Sequence, residues 1–289
     1  MSHPNKVLYA KDDITKLDLA HYYEQAARWM LPHVENRLLT LVRCPAGSGQ
    51  KCFFQKHPGE GTSDDLRRFN VREKRKMEEY LALYDVQGLI SLVQMGVLEI
   101  HLWGSQADEF EKPDRLIFDL DPDPAIDWPH LVAAANEVRL LLEELGLTSF
   151  LKTTGGKGLH IVVPVRRTLT WSEAKTFCRS VAAFLVAAAP DRYIATMSKA
   201  ARKGKIFVDY LRNDRGATAI APYSTRARAG APVSVPIGWD ELDDDLTPNS
   251  FTVENMPVRF ERLKKDPWAK ISTTKQSINA KMMRRLQTR

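Results

Sequence analysis

The sequence is poor in cysteine, and the little it has follows no familiar pattern. Only Cys44, Cys52 and Cys178 occur among 289 residues, and none lies in a C-x-x-C pair or near histidines at zinc-binding spacing. The odd number and the spacing argue against a disulfide-rich scaffold and a zinc site. We therefore expect three free thiols in a reducing cytoplasm.

Long apolar runs and obvious linkers are also missing. No stretch approaches the roughly eighteen apolar residues of a membrane span, and the N-terminal residues have no apolar signal region. No repeat, low-complexity tract or Gly-, Ser- or Pro-rich linker divides the chain. These absences predict a soluble intracellular protein with no membrane partner. We expect residues 1–289 to form a single catalytic domain of two interlocked lobes.

The composition favours an anionic partner. The 44% hydrophobic content is enough for a sizeable core. Lys and Arg exceed Asp and Glu by 42 − 36 = 6, and the pI is near 9.1. A moderately basic protein often binds nucleic acid, although many basic enzymes never do.

Local patterns predict a mixed α/β fold. Apolar residues at helical spacing predict a helix from the Thr15 cap to Pro32 and another over 86–95. Residues 38–43 have a strand pattern, and the highly charged stretch 63–84 is typical of a solvated helix or mobile loop. Further helices are predicted after caps at Asp127 and at Thr170 with Glu173. Because strands and helices do not alternate regularly, we expect a mixed sheet.

The most informative stretch is an apolar strand pattern that ends in Asp119, Asp121 and two prolines, over residues 116–124. Side chains two apart on a strand share a face, so the two carboxylates lie ~6.6 Å apart along the backbone. Paired buried acids favour a hard divalent cation such as Mg²⁺ or Mn²⁺. The alternative is a strand end that leaves the core, and the pattern alone does not decide between the two.

A glycine-rich stretch over 153–160 is the second candidate. Its three glycines allow backbone N–H groups to approach a phosphate, while Lys157 adds charge and Thr154 and His160 add hydrogen-bond donors. It is not a Walker loop, because Gly158 follows the Gly-Lys pair, and it lacks the last glycine of G-x-G-x-x-G. A flexible hairpin turn is the simpler alternative. A third candidate is Asp209, an acid that ends an apolar strand pattern, which is a common arrangement.

The interpretation of two further sites in the sequence depends on which residues surround them in the fold. In the strand pattern 97–103, His101 lies opposite Leu98 and Ile100 and is by default a histidine at the edge of the core. It precedes the strand of Asp119 closely enough to be its neighbour in the sheet, and only in that case is it a site candidate. Phe53 and Phe54 are flanked by lysines, so an exposed ring could stack on a base. A strand buried on both faces is the favoured alternative for the two phenylalanines.

Together these motifs resemble the archaeo-eukaryotic primase superfamily, most closely the polymerase domain of bacterial ligase D, which serves non-homologous end joining. Each motif is weak singly, and only their combination is specific. The resemblance spans nearly the whole chain. The similar segments are His3–Tyr9, Leu41–Pro45, Cys52–His57, Leu92–His101, Asp119–Pro124, Lys152–His160, Phe207–Asn213 and Ala221–Arg226.

The resemblance implies a primase-polymerase fold, in which an RRM-like antiparallel catalytic sheet packs against a second α/β lobe. It implies template-directed nucleotidyl transfer to a 3′-hydroxyl, in gap filling and end extension, with a preference for ribonucleotides. Asp119, Asp121 and Asp209 would hold two Mn²⁺ or Mg²⁺ ions, one activating the 3′-oxygen and one neutralising the triphosphate. The nucleotide-binding residues it implies are Thr154, Lys157, His160, Arg212 and Arg226, with His101 nearby.

The resemblance also implies how the protein meets DNA. Phe53, Phe54 and Lys56 would lie at the template-facing surface. Lys6 and Lys16 would bind the 5′-phosphate at the edge of a gap or break, helped by free N–H groups at a helix N-terminus. The implied partners are broken or gapped DNA, ribo- or deoxyribonucleoside triphosphates, Ku and a DNA ligase, in the nucleoid region of a bacterial cytoplasm.

The chain departs from the family at two positions and leaves two other functions open. Thr154 stands where the family usually has Ser, and His3 where some relatives have Asn. No K-x-D-G ligase motif occurs, so the chain is either a stand-alone relative or an excised polymerase module. A haloacid-dehalogenase-like phosphatase also carries D-x-D after an apolar strand, but it normally has Thr or Val where Asp123 stands. An inactive nucleic-acid-binding scaffold is the third possibility, against which the three acids argue.

Overall fold

The computed structural model describes residues 1–247 and 249–287. In chain order, its helices are α1 (Lys16–Val34), α2 (Val86–Gln94), α3 (Trp128–Glu144), α4 (Trp171–Ala188), α5 (Met256–Arg262) and α6 (Ala280–Gln287). Its strands are β1 (Val7–Tyr9), β2 (Ile14–Thr15), β3 (Leu39–Arg43), β4 (Phe53–Gln55), β5 (Arg67–Glu73), β6 (Lys76–Ala82), β7 (Val97–Trp103), β8 (Arg115–Pro122), β9 (Phe150–Thr153), β10 (Leu159–Pro164), β11 (Tyr193–Ile194), β12 (Ile206–Asp209), β13 (Thr218–Ile220) and β14 (Pro236–Ile237). Within these two ranges, no helix has the length and hydropathy needed to cross a membrane.

The chain divides into two compact units, and it passes between them more than once. Unit 1 comprises residues 1–110, 218–235 and 249–266. Unit 2 comprises residues 111–217, 236–248 and 267–289. Each unit is therefore assembled from three separate segments of sequence. That the whole chain is one catalytic domain stays a prediction.

Unit 1 contains a four-stranded antiparallel sheet in the order β13-β7-β3-β4, with α1 packed against α2. Helix α1 begins at the predicted Thr15 cap, whose side chain and that of Asp18 form a capping box. We expected this helix to end at Pro32, but it continues to Val34. A proline this close to the end costs one backbone hydrogen bond, and the last turn tolerates that loss.

The charged stretch 63–84 is a β-hairpin, so the prediction of a solvated helix or mobile loop is wrong. Strands β5 and β6 pair antiparallel over seven residues each, and Lys74 turns the chain at φ +46°. Val71 and Tyr80 are buried, while most of the charged side chains between them are exposed. Inward and outward positions alternate along both strands, but the many charged side chains made this alternation hard to recognise in the sequence.

Cys44 and Cys52 form a disulfide, which corrects the expectation of three free thiols. Antiparallel pairing of β3 with β4 places Arg43 opposite Phe53. The two cysteines that flank this pair are therefore held together, with their Cα atoms 4.4 Å apart. Cys178 is a buried free thiol, as expected.

Unit 2 contains a six-stranded sheet in the order β11-β12-β8-β10-β9-β14. Only the β11–β12 pair is parallel, so the expected mixed sheet is confirmed. Helices α3 and α4 pack on β8, and their predicted caps at Asp127 and Thr170 are present. Strand β8 is a central strand that buries Leu116 and Phe118, and it carries Asp119 into the sheet interior.

The glycine-rich stretch reverses the chain. Strands β9 and β10, on either side of it, are antiparallel partners, with Leu159 opposite Thr153. The glycines therefore form the hairpin connection that was the simpler alternative. This hairpin places both of its strands in the same sheet as Asp119.

Candidate active site

Two acids face each other at the centre of the unit 2 sheet. Asp119 on β8 and Asp209 on β12 are direct partners in the strand register, and they are only 9% and 8% exposed. Asp121 is two residues along β8 on the same face, and it is partly exposed. Like charges directly opposite on neighbouring strands repel each other, so this arrangement requires compensating positive charge.

Basic side chains of unit 2 supply that charge. Arg212 Nε lies 3.2 Å from Asp119 Oδ2 and 3.3 Å from Asp209 Oδ2. Asp121 is contacted by Lys157 Nζ at 3.3 Å and by Arg202 Nη1 at 3.4 Å. Arg202, whose guanidinium also lies 3.6 Å from the ring centroid of Phe207, was not singled out from the sequence. The sequence feature that could have pointed to Arg202 is the basic stretch 199–205 in which it lies.

The two facing acids differ in how readily they accept a proton. Burial would raise the pKa of Asp119, but His160 and Arg212 hold that pKa well below its usual range. Burial raises the pKa of Asp209, and the charge of Asp119 raises it further, against the opposing effect of Arg212. Asp119 is therefore the more firmly ionised of the two.

His160 lies opposite Asp119 on β10, with Nε2 3.4 Å from Asp119 Oδ2. Burial and then the charge of Lys152 lower the pKa of His160 to about 4, despite the attraction of Asp119. The imidazole is therefore neutral near pH 7. A neutral ring can present either a donor or an acceptor beside the acids.

The glycine hairpin is held by its own hydrogen bonds. Thr154 Oγ1 donates to Gly158 O at 3.0 Å and accepts from the N–H groups of Gly156 and Gly158 at 3.2 and 3.3 Å. Lys157 Nζ donates to Pro122 O at 2.7 Å. A Cβ atom on Gly158 would lie 2.3 Å from Leu120 O, so only glycine fits against β8 here. The predicted residues Thr154, Lys157 and His160 are thus brought beside the acids.

His101 and Arg226 lie together in unit 1, joined by a residue that the sequence reading missed. Glu99 Oε2 is 2.8 Å from His101 Nε2, and Glu99 Oε1 is 3.1 Å from Arg226 Nε. Strand β7 pairs with β3 and β13 and not with β8, so the condition that would have made His101 a neighbour of the Asp119 strand is not met. Glu99 could have been flagged as a charged residue at an inward position of an apolar strand.

The aromatic pair on β4 is exposed, which contradicts the favoured alternative of a strand buried on both faces. Phe53 is 44% and Phe54 is 71% exposed, and Lys56 beside them is exposed. Arg43 lies 5.6 Å from the ring centroid of Phe53, and the ring of Phe54 contacts His101 edge-on at 6.2 Å. Exposed rings with a neighbouring cation can stack on bases.

Lys6 and Lys16 are neighbours, but one premise behind their assignment is wrong. The first backbone N–H groups of α1 are not free: Lys16 N–H donates to Lys6 O, Leu17 N–H to Pro4 O and Asp18 N–H to Thr15 Oγ1. Lys16 is 6% exposed and its Nζ donates to Ser2 O. Burial, with the charge of Lys6, lowers the pKa of Lys16. An anion bound here would contact the ammonium groups of Lys6 and Lys16, because the first backbone N–H groups of α1 already have acceptors.

The oxygen atoms of the three acids are the type of donor that binds a hard metal ion. Within residues 1–247 and 249–287, no group of three or more His, Cys, Asp or Glu side chains converges as a preassembled metal site. All three acids nevertheless offer carboxylate oxygen, the donor that Mg²⁺ and Mn²⁺ prefer. A cation would replace the contacts that Arg212, Lys157 and Arg202 now make with them.

Comparison with known proteins gives consistent matches. A family model described as LigD, primase-polymerase domain, matches residues 15–268. The multifunctional non-homologous end joining protein LigD of Pseudomonas aeruginosa is 39% identical over 287 residues, which is 99% of this chain and 34% of that protein. The bifunctional non-homologous end joining protein LigD of Bacillus subtilis is 31% identical over 262 residues, 90% of this chain and 42% of that protein. The chain thus spans well under half the length of these relatives.

A solved structure also matches. The polymerase domain from Mycobacterium tuberculosis ligase D, in complex with DNA, superimposes with a TM-score of 0.87 and 31% identity. The match covers 94% of this chain and 97% of that domain.

Proposed function

Since this chain belongs to the LigD primase-polymerase domain family, we propose that it catalyses template-directed addition of nucleotides to a DNA 3′-hydroxyl. Members of the family are nucleotidyltransferases. The primase-polymerase fold predicted from the sequence is confirmed by the match to a solved polymerase domain. The observation that carries the proposal is the facing pair Asp119 and Asp209, with Asp121 on the same face.

The family is metal-dependent, and we assign the metal ligands to Asp119, Asp121 and Asp209. Two Mn²⁺ or Mg²⁺ ions would supply activation of the 3′-oxygen and neutralisation of the triphosphate charge. The protein's own part is to hold three carboxylates on one rigid sheet face. Asp119, kept ionised by His160 and Arg212, is the anchor of that set.

The nucleotide-binding residues are assigned by their chemistry. In unit 2, Arg212 and Lys157 offer charge-assisted N–H donors to phosphate oxygens, and Thr154 shapes the hairpin that presents Lys157. His160 is a neutral hydrogen-bonding group beside Asp119. In unit 1, Glu99 holds Arg226 and His101, and the family resemblance is the basis for assigning these two residues to nucleotide binding.

DNA is the proposed macromolecular substrate. The exposed Phe53 and Phe54, with Lys56, are assigned to the template, and Lys6 with Lys16 to a 5′-phosphate. The M. tuberculosis domain is described in complex with DNA, and the relatives are described as end-joining proteins. We therefore place this chain in gap filling and end extension at double-strand breaks, with Ku and a DNA ligase as partners. Its proposed location is the nucleoid region of a bacterial cytoplasm, and the proposed catalytic domain is residues 1–289.

The other two functions considered from the sequence gain no support. Both neighbours of β8 are antiparallel to it, and the matched family is a polymerase family. The comparisons favour neither a phosphatase of the haloacid-dehalogenase type nor an inactive scaffold.

Primer extension on gapped DNA tests the proposal. Asp119→Asn or Asp209→Asn should abolish nucleotide addition, because each removes a charged metal ligand. Asp209→Asn should keep a thermal unfolding midpoint within a few degrees of the parent, because it relieves like-charge repulsion. Asp119→Asn also loses the favourable contacts of the carboxylate with Arg212 and His160, so its midpoint should be lower than that of Asp209→Asn. Asp123→Asn is the matched control on the same segment and should extend normally. Unchanged extension by the Asp119 or Asp209 variant would remove the assignment.

The same assay separates the finer assignments. Ribonucleotides should be added faster than deoxyribonucleotides, and Mn²⁺ should support faster addition than Mg²⁺. Binding to gapped DNA should weaken when the 5′-phosphate is replaced by hydroxyl, and Lys16→Ala should erase that difference. Equal affinity of the parent protein for the two ends would refute the phosphate assignment, since backbone attraction alone does not distinguish them.

A further inference from the structure

One row of side chains crosses four neighbouring strands of the unit 2 sheet. Lys152 on β9 faces His160 on β10, His160 faces Asp119 on β8, and Asp119 faces Asp209 on β12. Direct partners in antiparallel strands place their side chains on one face, with Cβ atoms about 5 Å apart. The four side chains therefore form a continuous line that ends at the proposed metal ligands.

Lys152 is the member of the row to which no function has been given. It is 2% exposed, and the other three residues are 3%, 9% and 8% exposed. Burying a lysine in a sheet is costly and uncommon. It is the direct strand partner of His160, whose imidazole is 3.4 Å from Asp119, so Lys152 is separated from the acid pair by one side chain of the row.

Lys152 differs from the other cations near the acids. The side chains of Arg212 and Lys157 are 43% and 52% exposed and contact the carboxylates directly, so each can leave when a ligand arrives. The backbone of Lys152 lies two strands from that of Asp119, about 10 Å away, and the Lys152 side chain is buried. Its charge is therefore a fixed part of the sheet.

We propose that Lys152 is a positioning residue whose buried charge sets the balance between divalent cation and triphosphate at the acid pair. It does so through the row, without touching either ligand. The proposal rests on the proposed nucleotidyl-transfer function. A fixed positive charge weakens cation binding to Asp119 and Asp209, and it strengthens binding of the triphosphate anion beside them.

The two effects have opposite signs, which distinguishes this role from a structural one. Removing one positive charge at about 10 Å, with an effective dielectric constant near 20, changes the affinity by roughly tenfold for each unit charge of the ligand, so at least a tenfold change is expected for each of the two ligands. Cation binding should tighten while triphosphate binding weakens. Loss of a purely structural contact would loosen the site and weaken both.

The experiment uses the full chain and two readouts. Mn²⁺ binding to the protein alone is measured by titration calorimetry, and the KM for a ribonucleoside triphosphate by primer extension. In Lys152→Met, the Kd for Mn²⁺ should fall at least roughly tenfold and the KM should rise at least roughly tenfold. Lys152→Arg keeps the charge and should restore both values towards those of the parent. Lys205→Met, in the same unit, should change neither.

Parallel weakening of both ligands in a folded Lys152→Met variant, or no change in either, would overturn the proposal. If the methionine variant does not fold, Lys152→Gln gives the same comparison with a polar side chain. The Mn²⁺ titration needs no catalysis. A parent protein that binds Mn²⁺ but adds no nucleotide would therefore count against the proposed function while leaving the Lys152 effect readable.

Discussion

At the scale of single residues, Glu99 shows how a buried charge holds the candidate nucleotide-binding side chains of unit 1. It is 7% exposed and contacts His101 and Arg226, and it accepts a hydrogen bond from the Ala227 N–H at 3.0 Å. Burial opposes its ionisation, but these partners prevail and lower the pKa of Glu99 from 4.5 to about 2. Glu99 therefore fixes the positions of two groups that were predicted separately.

This pKa shift predicts a pH-dependent loss of stability. Since the folded pKa is depressed, the contribution of Glu99 is present above pH 4.5 and is lost as the pH falls towards 2. Over that window the parent should lose on the order of 3 kcal/mol of unfolding free energy that Glu99→Gln does not lose. Urea unfolding across the window measures it, with exposed Glu24→Gln as the control. Parallel pH profiles for parent and Glu99→Gln would contradict the assignment.

At the scale of elements, the β9–β10 hairpin depends on the close approach of Gly158 to β8. Gly158→Ala should destabilise the protein by more than about 2 kcal/mol, because the new Cβ would displace Leu120 O from its strand. It should also raise the KM for the nucleotide, since Lys157 is carried by the same loop. Gly49→Ala is the matched control, as a Cβ there meets nothing within 4 Å. Equal unfolding midpoints for the two variants would refute the close-packing argument.

The elements that could be predicted from sequence are those with local signals. The caps at Thr15, Asp127 and Thr170 and the apolar strand before Asp119 depend on neighbours in sequence, and all are present. The 67–82 hairpin was missed because its charges obscured the alternation and its stability comes from cross-strand pairing.

The candidate site was likewise predictable only where its residues have local sequence signals or match a family motif. Its three acids, the glycine hairpin and Arg212 were found from their spacing or from resemblance. Glu99 and Arg202 were not, because they contact Arg226 and Asp121, which are far away in sequence. Lys152 was not, because its alignment with the acids depends on how β9, β10 and β8 pair. The Cys44–Cys52 bond likewise depends on how β3 pairs with β4.

At the scale of the whole molecule, the net charge is concentrated at one end of the sequence. Residues 267–289 contain six Lys or Arg and no acid, so the preceding residues sum to 6 − 6 = 0. Lys270, Lys275 and Lys281 are exposed, and the segment is anchored to unit 2 through Gln276, which bonds the backbone of Thr148. This charge is therefore held on a folded surface.

We expect this segment to contribute to the salt dependence of DNA binding. Lys275→Glu combined with Lys281→Glu should weaken binding to uninterrupted duplex DNA and reduce the slope of log affinity against log salt by about 2. Titrations at several salt concentrations measure the slope. Lys264→Glu with Lys265→Glu, an exposed pair in unit 1, is the control with the same change in charge. An equal effect of both pairs would mean that only net charge matters.

The division of the chain between the units also sets an order of assembly during synthesis. Unit 1 includes residues 1–110, but its sheet lacks β13 until residue 220 has been made, and its fold lacks α5 until residue 262 has been made. Residues 111–217 are continuous and contain five of the six strands of the other sheet, together with α3 and α4. A chain leaving the ribosome can therefore fold the part that carries the three acids first. The four-stranded sheet of unit 1 has three of its strands before residue 111 and is complete only once β13 has followed at residues 218–220.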